Sequence, residues 1–287
     1  LNVNDLYIVL GPTAVGKSDW GVELAERFSC PIINCDSRQI YREMRIGTAV
    51  PSDEQLARVK HYMIGTHSVT EYYTAGRYEI EANELVCRLF GEYDRLVMVG
   101  GSGFYIDAFC NGLDDFPPAD MELRRTLSRR LEEEGVAVLR NELKMLDPVS
   151  YNTIDIANGQ RVVRALEVCI MTGRPFSSFK SAPSKKRPFN IHKIGLCRDR
   201  SELYGRIDRR VLAMMDEGLV DEVRSLEAYR DCPALKTVGY REIFDYLDGK
   251  TALDRAVELI QRNTRHYAKR QMSYWGRDKS IEWKMLE

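Results

Sequence analysis

The sequence has no pair of cysteines at C-x-x-C spacing and no histidines at H-E-x-x-H spacing. Its seven cysteines, Cys30, Cys35, Cys87, Cys110, Cys169, Cys197 and Cys232, are scattered and odd in number. That pattern argues against a disulfide framework and against a zinc ribbon, and it points to a reducing compartment. The four histidines, His61, His67, His192 and His266, lack ligand spacing and are assigned no chemistry. No run approaches the ~20 apolar residues that span a bilayer. The first strand-like run begins at Leu6, which leaves no room before it for a charged segment, an apolar stretch and a cleavage site, so the expectation is a soluble cytoplasmic protein with no membrane partner. Net charge is lacking too: at −1 the total does not suggest nucleic acid, although "SKKRPF" (Ser184 to Phe189) and "QRNTRHYAKRQ" (Gln261 to Gln271) are locally basic. In a helix, Arg262, Arg265 and Lys269 of the second run share one face.

What is present reads as an α/β protein. At 287 residues the chain suffices for one elaborated domain or two. "LYIVL" (Leu6 to Leu10), "PIINC" (Pro31 to Cys35) and "RLVMVG" (Arg95 to Gly100) are rich in branched residues and end at turn residues, as buried parallel strands do. Trp20, Leu24, Ala25 and Phe28 fall at helical spacing between the first two, giving a strand, loop, helix, strand unit. "IHKIGLC" (Ile191 to Cys197) is a fourth strand candidate. Composition changes after "LDDFPPAD", where Asp120 can cap a helix and Leu123, Leu127 and Leu131 recur at i+4. Further helical runs cover Val138 to Leu146 and Arg161 to Met171, before a Pro- and Lys-containing loop from Ser181 to Pro188. The expected organisation is a core of residues 1–114 and 186–287 carrying a helical insertion at 115–185. After Cys197, Asp199 and Glu202 have capping-box spacing, and Ile207, Val211, Met214, Met215, Leu219, Val223 and Leu226 make one long apolar stripe. Arg206, Arg209 and Arg210 sit beside it, either as solvent charges or as the lining of a phosphate-rich cleft.

"GPTAVGKS", Gly11, Pro12, Thr13, Ala14, Val15, Gly16, Lys17 and Ser18, matches G-x-x-x-x-G-K-[ST] between a strand and a helix. Such a loop turns successive amides inward as an anion nest at a helix N-terminus. Lys17 adds a point charge, and the Ser18 hydroxyl is a candidate ligand for Mg²⁺ on a diphosphate. A nucleotide-hydrolysing loop also needs an acid at the end of a neighbouring strand to hold the metal. The "RLVMV" run ends instead in Gly100-Gly101-Ser102-Gly103, and the acid at a strand end close to the loop is Asp36. Asp36 reads equally as a metal ligand, a cap for "SRQIY", or a general base.

"GPTAVGKS", "DSRQIYREMRIGTAVPS", "VGGSGFYIDA", "GQRVVRALEV", "KTVGYRE" and "KRQMSYW", in this order from Gly11 to Trp275, closely resemble the tRNA dimethylallyltransferases, or tRNA isopentenyltransferases. The resemblance implies a P-loop nucleoside-triphosphate-hydrolase-like core whose loop takes dimethylallyl diphosphate with Mg²⁺ in place of ATP. It implies transfer of the prenyl group to the N6 amine of the adenosine beside the anticodon, on its 3′ side, in tRNAs reading codons that begin with U. By the same comparison Asp36 is the catalytic base, Lys17 and Arg206 serve the diphosphate, and Asp36, Ser37, Arg38 and Gln39 contact the extruded base and its neighbours. Ser102, Arg124 and the run Gln160, Arg161, Val162, Val163 and Arg164 are expected to touch the anticodon stem-loop of tRNA, the insertion acting as a clasp. A monomer is expected. The family usually has Thr at Ser102 and Pro at Gly159, and its terminal motif differs from "SYWGRD" here. A small-molecule or nucleotide kinase and a non-catalytic RNA-binding module are the alternative readings; the missing second acid counts against the first, and the intact Lys17, Ser18 and Asp36 against the second.

Overall fold

The computed structural model describes residues 4–114, 116–180 and 185–287. Asp115 and residues 181–184 of the expected Ser181 to Pro188 loop lie outside the described residues. The chain divides into two compact units, residues 1–110 with 186–287, and residues 111–185.

The first unit is built on six parallel strands: β1 (Asp5–Leu10), β2 (Ile32–Asn34), β3 (His61–Tyr62), β4 (Arg95–Val99), β5 (Asn190–Cys197) and β6 (Ile281–Met285), in the order β3-β2-β4-β1-β5-β6. The central strands are continuous apolar runs because both faces are covered: Leu6, Ile8, Val9 and Leu10 of β1 and Leu96, Val97 and Met98 of β4 are fully buried. Register levels the strand ends. Val9 stands opposite Val99, and Asn34 opposite Val99 on the other side, so the chain leaves β1, β2 and β4 at one edge. β1 lies between β4 and β5: the chain passes from β1 to β2 on one side and later from β4 across β1 to β5 on the other, and this change of direction opens a crevice at the carboxyl end of β1.

Helices α1 (Lys17–Phe28), α2 (Asp53–Arg58), α3 (Ala75–Leu89) and α4 (Gly103–Asn111) occupy the first half of this unit. In the second unit Asp120 caps α5 (Met121–Glu134) by accepting from Glu122 and Leu123 amides, and α6 (Val136–Leu146), α7 (Pro148–Thr153) and α8 (Gly159–Thr172) follow. Their shared core is Leu127, Leu139, Leu143, Val162, Val163, Ala165, Leu166 and Cys169. The expected boundary at 115 falls four residues after the observed one, because α4 ends at Asn111 and the change of unit comes there rather than at the prolines.

The long stripe after Cys197 is two helices, not one. α9 (Arg200–Asp216) and α10 (Leu219–Ser225) are separated at Gly218, whose φ of 97° no helix interior accepts. Leu219, Val223 and Leu226 are buried, while Met214 and Met215 at the end of α9 are only half-buried. α11 (Tyr240–Leu247) and the 23-residue α12 (Leu253–Trp275) complete the unit. On α12, Ala256, Ile260, Ala268, Gln271 and Trp275 make the inward face. The "SYWGRD" segment packs into this unit: Trp275 is buried, Tyr274 donates to Asp107, and Asp278 pairs with Lys193 at 2.6 Å.

Candidate active site

The loop from Gly11 to Ser18 wraps the amino end of α1, whose cap residue Gly16 has a φ of 108° and supplies no side-chain hydrogen bond. The first amides of α1 therefore keep their donor capacity for an anion. Cations take up the loop's outward carbonyls. Lys17 Nζ donates to Gly11 O at 3.0 Å and Pro12 O at 2.7 Å, Arg206 Nε to Ala14 O at 2.8 Å, and Arg198 Nε to Val15 O at 2.9 Å. Two of the loop's amides are taken internally, Thr13 N by Gln271 Oε1 at 2.8 Å and Val15 N by Pro12 O at 3.4 Å.

That cavity, about 390 Å³, is lined by Thr13, Ala14, Gly16, Lys17 and Ser18 from the loop, by Asp36 and Gln39, and by Arg206, Arg209 and Arg210 of α9. Of the two readings of the three arginines, the lining of a cleft is the observed one. Arg210 Nη1 donates to Thr13 Oγ1 at 3.3 Å and Nη2 to Ala49 O at 3.4 Å. Burial pulls the Lys17 ammonium down to about 7, an effect that Asp36 opposes and the charge of Arg210 reinforces. Burial likewise lowers Arg210, with Asp36 again opposing. Cations crowded out of water in this way gain by accepting an anion between them.

The absence of a second acid has a steric cause. A Cβ at Gly100 would lie 1.9 Å from Cys35 O, and one at Gly101 would lie 2.4 Å from Gln271 Nε2. Gln271 fills the place next to the loop: its Oε1 accepts from Thr13 N at 2.8 Å and its Nε2 donates to Gly101 O at 2.9 Å. Sequence reasoning missed Gln271, Arg198 and Tyr267, and it named Arg210 without a role. The signal lay in "KRQMSYW", but nothing local says that a glutamine at the end of a basic helix turns inward.

Asp36 stands just past β2. Its Oδ1 accepts from Arg38 N at 2.8 Å and Gln39 N at 3.3 Å, so one oxygen holds a turn over Ser37 to Ile40; the helix-cap reading of "SRQIY" is corrected, because the segment turns without forming a helix. Among the described residues no hydrogen bond to Oδ2 is found, and Asp36 lines both the first cavity and a second one of about 220 Å³. The second cavity is bounded by Ser37, Arg38, Thr237, Val238, Gly239 and Thr264, and it shares Thr13, Thr48, Ala49, Arg210 and Tyr267 with the first. Ser102 Oγ accepts from Ser37 N at 2.8 Å and donates to Ser37 Oγ at 3.1 Å, so the hydroxyl at this position fixes the turn after Asp36. Gln39 is committed to Thr48 O and Ala49 O at 3.1 and 2.8 Å. His61, assigned no chemistry from sequence, also lines the first cavity; burial lowers its basicity, and its Nδ1 donates to Val59 O at 2.8 Å.

The sequence-derived RNA contacts of the helical unit separate into two groups. Gln160 and Arg161 are exposed at the start of α8. Val162 and Val163 are buried at 0% and 1% exposure in the helical core, so their expected contact with RNA is corrected: five successive helical residues point around the whole axis, and the apolar two point inward. Arg124 and Arg164 are held by one carboxylate, Glu167, at 2.5 and 3.0 Å, and Glu167 is wholly buried. Gly159 lies against the Leu131 side chain, whose methyl a Cβ would approach within 2.6 Å, so the proline usual in the resembled family would need Leu131 to shift. The expected basic face of α12 is partly neutralised, since Arg265 pairs with Asp208. Arg187 of "SKKRPF" is bound to Glu79 at 3.0 Å and to Phe109 O at 2.7 Å; Ser184 of that run lies outside the described residues.

The sequence and the fold around this glycine loop and Asp36 match those of known proteins. The sequence model described as IPP transferase matches residues 39–278. The chain is 50% identical over 278 residues to tRNA dimethylallyltransferase 1 of Bacteroides thetaiotaomicron, covering 97% of this chain and 90% of that protein. It is 50% identical over 281 residues to tRNA dimethylallyltransferase 2 of Parabacteroides distasonis, covering 98% and 94%. The crystal structure of the tRNA isopentenylpyrophosphate transferase of Bacillus halodurans superposes with a TM-score of 0.71 at 35% identity, over 98% of this chain and 90% of that one. A eukaryotic dimethylallyltransferase crystallised acting on tRNA shares the fold, with a TM-score of 0.80 at 24% identity over 98% and 74%. With matches of this length on both sequence and fold, the chain belongs to the IPP transferase family.

Proposed function

We propose that the protein is a tRNA dimethylallyltransferase that takes dimethylallyl diphosphate as donor and the N6 amine of the adenosine on the 3′ side of the anticodon as acceptor, in tRNAs reading codons that begin with U. The observation that carries this reading is the position of Asp36 on the border of two cavities, one lined by five residues of the phosphate loop and the other touching it at Thr13. The diphosphate lies at the amino end of α1, against the Gly16 to Ser18 end of the loop, with Lys17, Arg206 and Arg210 around it, and the prenyl end runs toward Ile32, Val50, Ile64 and Val99 of the same cavity. The adenine, swung out of the anticodon loop because a stacked base cannot reach such a site, enters the second cavity between Arg38, Gly239 and Tyr267.

An adenine amine is a weak nucleophile because its lone pair is delocalised into the ring. As N6 attacks the first prenyl carbon, the carbon–oxygen bond to the diphosphate breaks and Asp36 accepts the amine proton, an assistance of about 10²–10⁴ in rate for such general bases. The leaving diphosphate's charge is met by Lys17, Arg206 and Arg210. Ser18 would hold Mg²⁺ through its hydroxyl, and the ion would supply neutralising charge to the leaving diphosphate. Gln160, Arg161 and the partly exposed Arg124 and Arg164 are the RNA contacts proposed for the helical unit. The protein is proposed to act as a cytoplasmic monomer; among the described residues no helix is long and apolar enough to cross a membrane.

The test supplies purified protein with unmodified tRNA and either dimethylallyl diphosphate or ATP, and then weighs the digested nucleosides. A dimethylallyl mass added to adenosine is the expected result. ATP consumption without it overturns the reading in favour of a kinase.

A further inference from the structure

The segment Arg45 to Val50 has neither helix nor strand, yet Thr48 and Ala49 wall both cavities. One carboxylate holds it from behind. Glu222 of α10 accepts from Arg45 N at 2.9 Å and Ile46 N at 2.7 Å through Oε2, and from Gly47 N at 3.0 Å through Oε1. The same Oε1 accepts the Tyr240 hydroxyl at 2.7 Å. Tyr240 is fully buried at the start of α11, and its ring lies so close to Gly47 that a Cβ there would fall 2.6 Å from it. From the cavity side Gln39 holds Thr48 O and Ala49 O, and Arg210 reaches Ala49 O. Ala49 itself has a φ of 50°, a left-handed conformation that a non-glycine residue keeps only when its surroundings dictate it.

Four donors converge on two oxygens. An ionised carboxylate is the side chain that accepts on every lone pair and donates nothing. A glutamine amide in its place would turn N–H groups toward donors, and an aspartate would fall one carbon short. The contact also joins "RIGTAV" to "KTVGYRE", two stretches of the family resemblance to which the phosphate loop and Asp36 give no task.

We propose that Glu222 is a positioning residue for prenyl transfer: by gathering the Arg45, Ile46 and Gly47 amides and the Tyr240 hydroxyl, it sets where Thr48 and Ala49 stand against the donor and against Asp36. The proposal rests on the reading that the larger cavity takes the prenyl donor. The phosphate loop is held by Arg198, Arg206 and Gln271, while Arg210 links Thr13 Oγ1 to Ala49 O by two long bonds of 3.3 and 3.4 Å, so diphosphate binding is expected to depend weakly on wall placement.

The experiment compares wild type, Glu222→Gln and Tyr240→Phe for kcat, for KM of dimethylallyl diphosphate, for the Kd of inorganic pyrophosphate, and for hydrogen exchange at the amides of residues 45–47. Glu222→Gln is expected to lower kcat by about 10–100-fold, as misplacement of a site wall does, to leave the pyrophosphate Kd within about twofold, and to speed exchange at those amides. Tyr240→Phe keeps the ring against Gly47 and three of the four hydrogen bonds, so its kcat is expected within about threefold of wild type. Unchanged kcat in Glu222→Gln, unchanged exchange at residues 45–47, or a fall in kcat matched by an equal loss of pyrophosphate affinity would each overturn the positioning role. A wild-type protein that transfers nothing from dimethylallyl diphosphate would instead overturn the donor reading on which the role depends.

Discussion

The two units handle arginine in opposite ways. In the helical unit Arg124 and Arg164 both close on the wholly buried Glu167, and Arg130 bridges Glu134 and Glu142 at 2.9 and 3.0 Å. In the α/β unit the large cavity is lined by Lys17, Arg206, Arg209 and Arg210 against Asp19 and Asp36. Cations outnumber carboxylates there, and Lys17 is pulled down to about 7 by burial. Where the chain supplies its own counter-charge the result is a braced helix pair; in the cavity at the start of α1 the cations stay in excess, as the proposed diphosphate donor requires. An arginine in a sequence is thus a site residue or a brace depending on what carboxylate the fold brings to it.

The contrast can be broken first at the carboxylate that the cavity does not neutralise. Asp36→Ala is expected to lower prenyl transfer by about 10²–10⁴ while tRNA affinity stays within a few-fold, because the base acts in the transition state. Turnover at the wild-type rate would remove Asp36 from the chemistry. The matching change in the helical unit, Glu167→Gln, should do the reverse. It leaves two arginines without their buried partner and is expected to cost roughly 2–4 kcal/mol of stability, below the full penalty for a broken buried pair because both guanidinium groups are partly exposed. Chemical denaturation measures it, with pyrophosphate affinity as the control that should not move.

A second effect on stability follows from Lys17. Its folded-state pKa is lowered, so between about 7 and its ordinary value of 10.5 the unfolded chain binds more protons than the folded one. The stability of the ligand-free protein should therefore rise with pH across that window relative to Lys17→Met, by at most about 1.4 kcal/mol per pH unit. Denaturant titrations at pH 7 and pH 10 read the difference, and saturating pyrophosphate should abolish it by restoring the lysine's charge. Arg161→Ala is the mildest test. Arg161 is exposed and its link to Asp155 is long at 3.9 Å, so loss of the side chain should weaken tRNA binding a few-fold and flatten the salt dependence by about one unit of slope. An unchanged slope would place Arg161 with the braces.

Legibility followed locality. β1, β2, β4 and β5 stand out as branched apolar runs that end at turn residues. β3 is two residues long and has no period to read, and β6, "IEWKM", mixes charge with apolar residues at a sheet edge. The apolar stripe through Leu226 hid the break at Gly218, because both helices bury residues at helical spacing. Gln160 to Arg164 was taken as one contact surface, whereas a helix sends Val162 and Val163 to its core side.

The glycine loop could be read directly, since Gly11 to Ser18 is contiguous and runs straight into its helix. The family could be read as well, spread over motifs from Gly11 to Trp275. What surrounds that loop came from the fold: Asp36, Arg210, Glu222 and Gln271 lie on separate elements and meet through sheet register and helix packing. No local pattern encodes such a meeting, because a side chain's partner depends on which elements the core forces together.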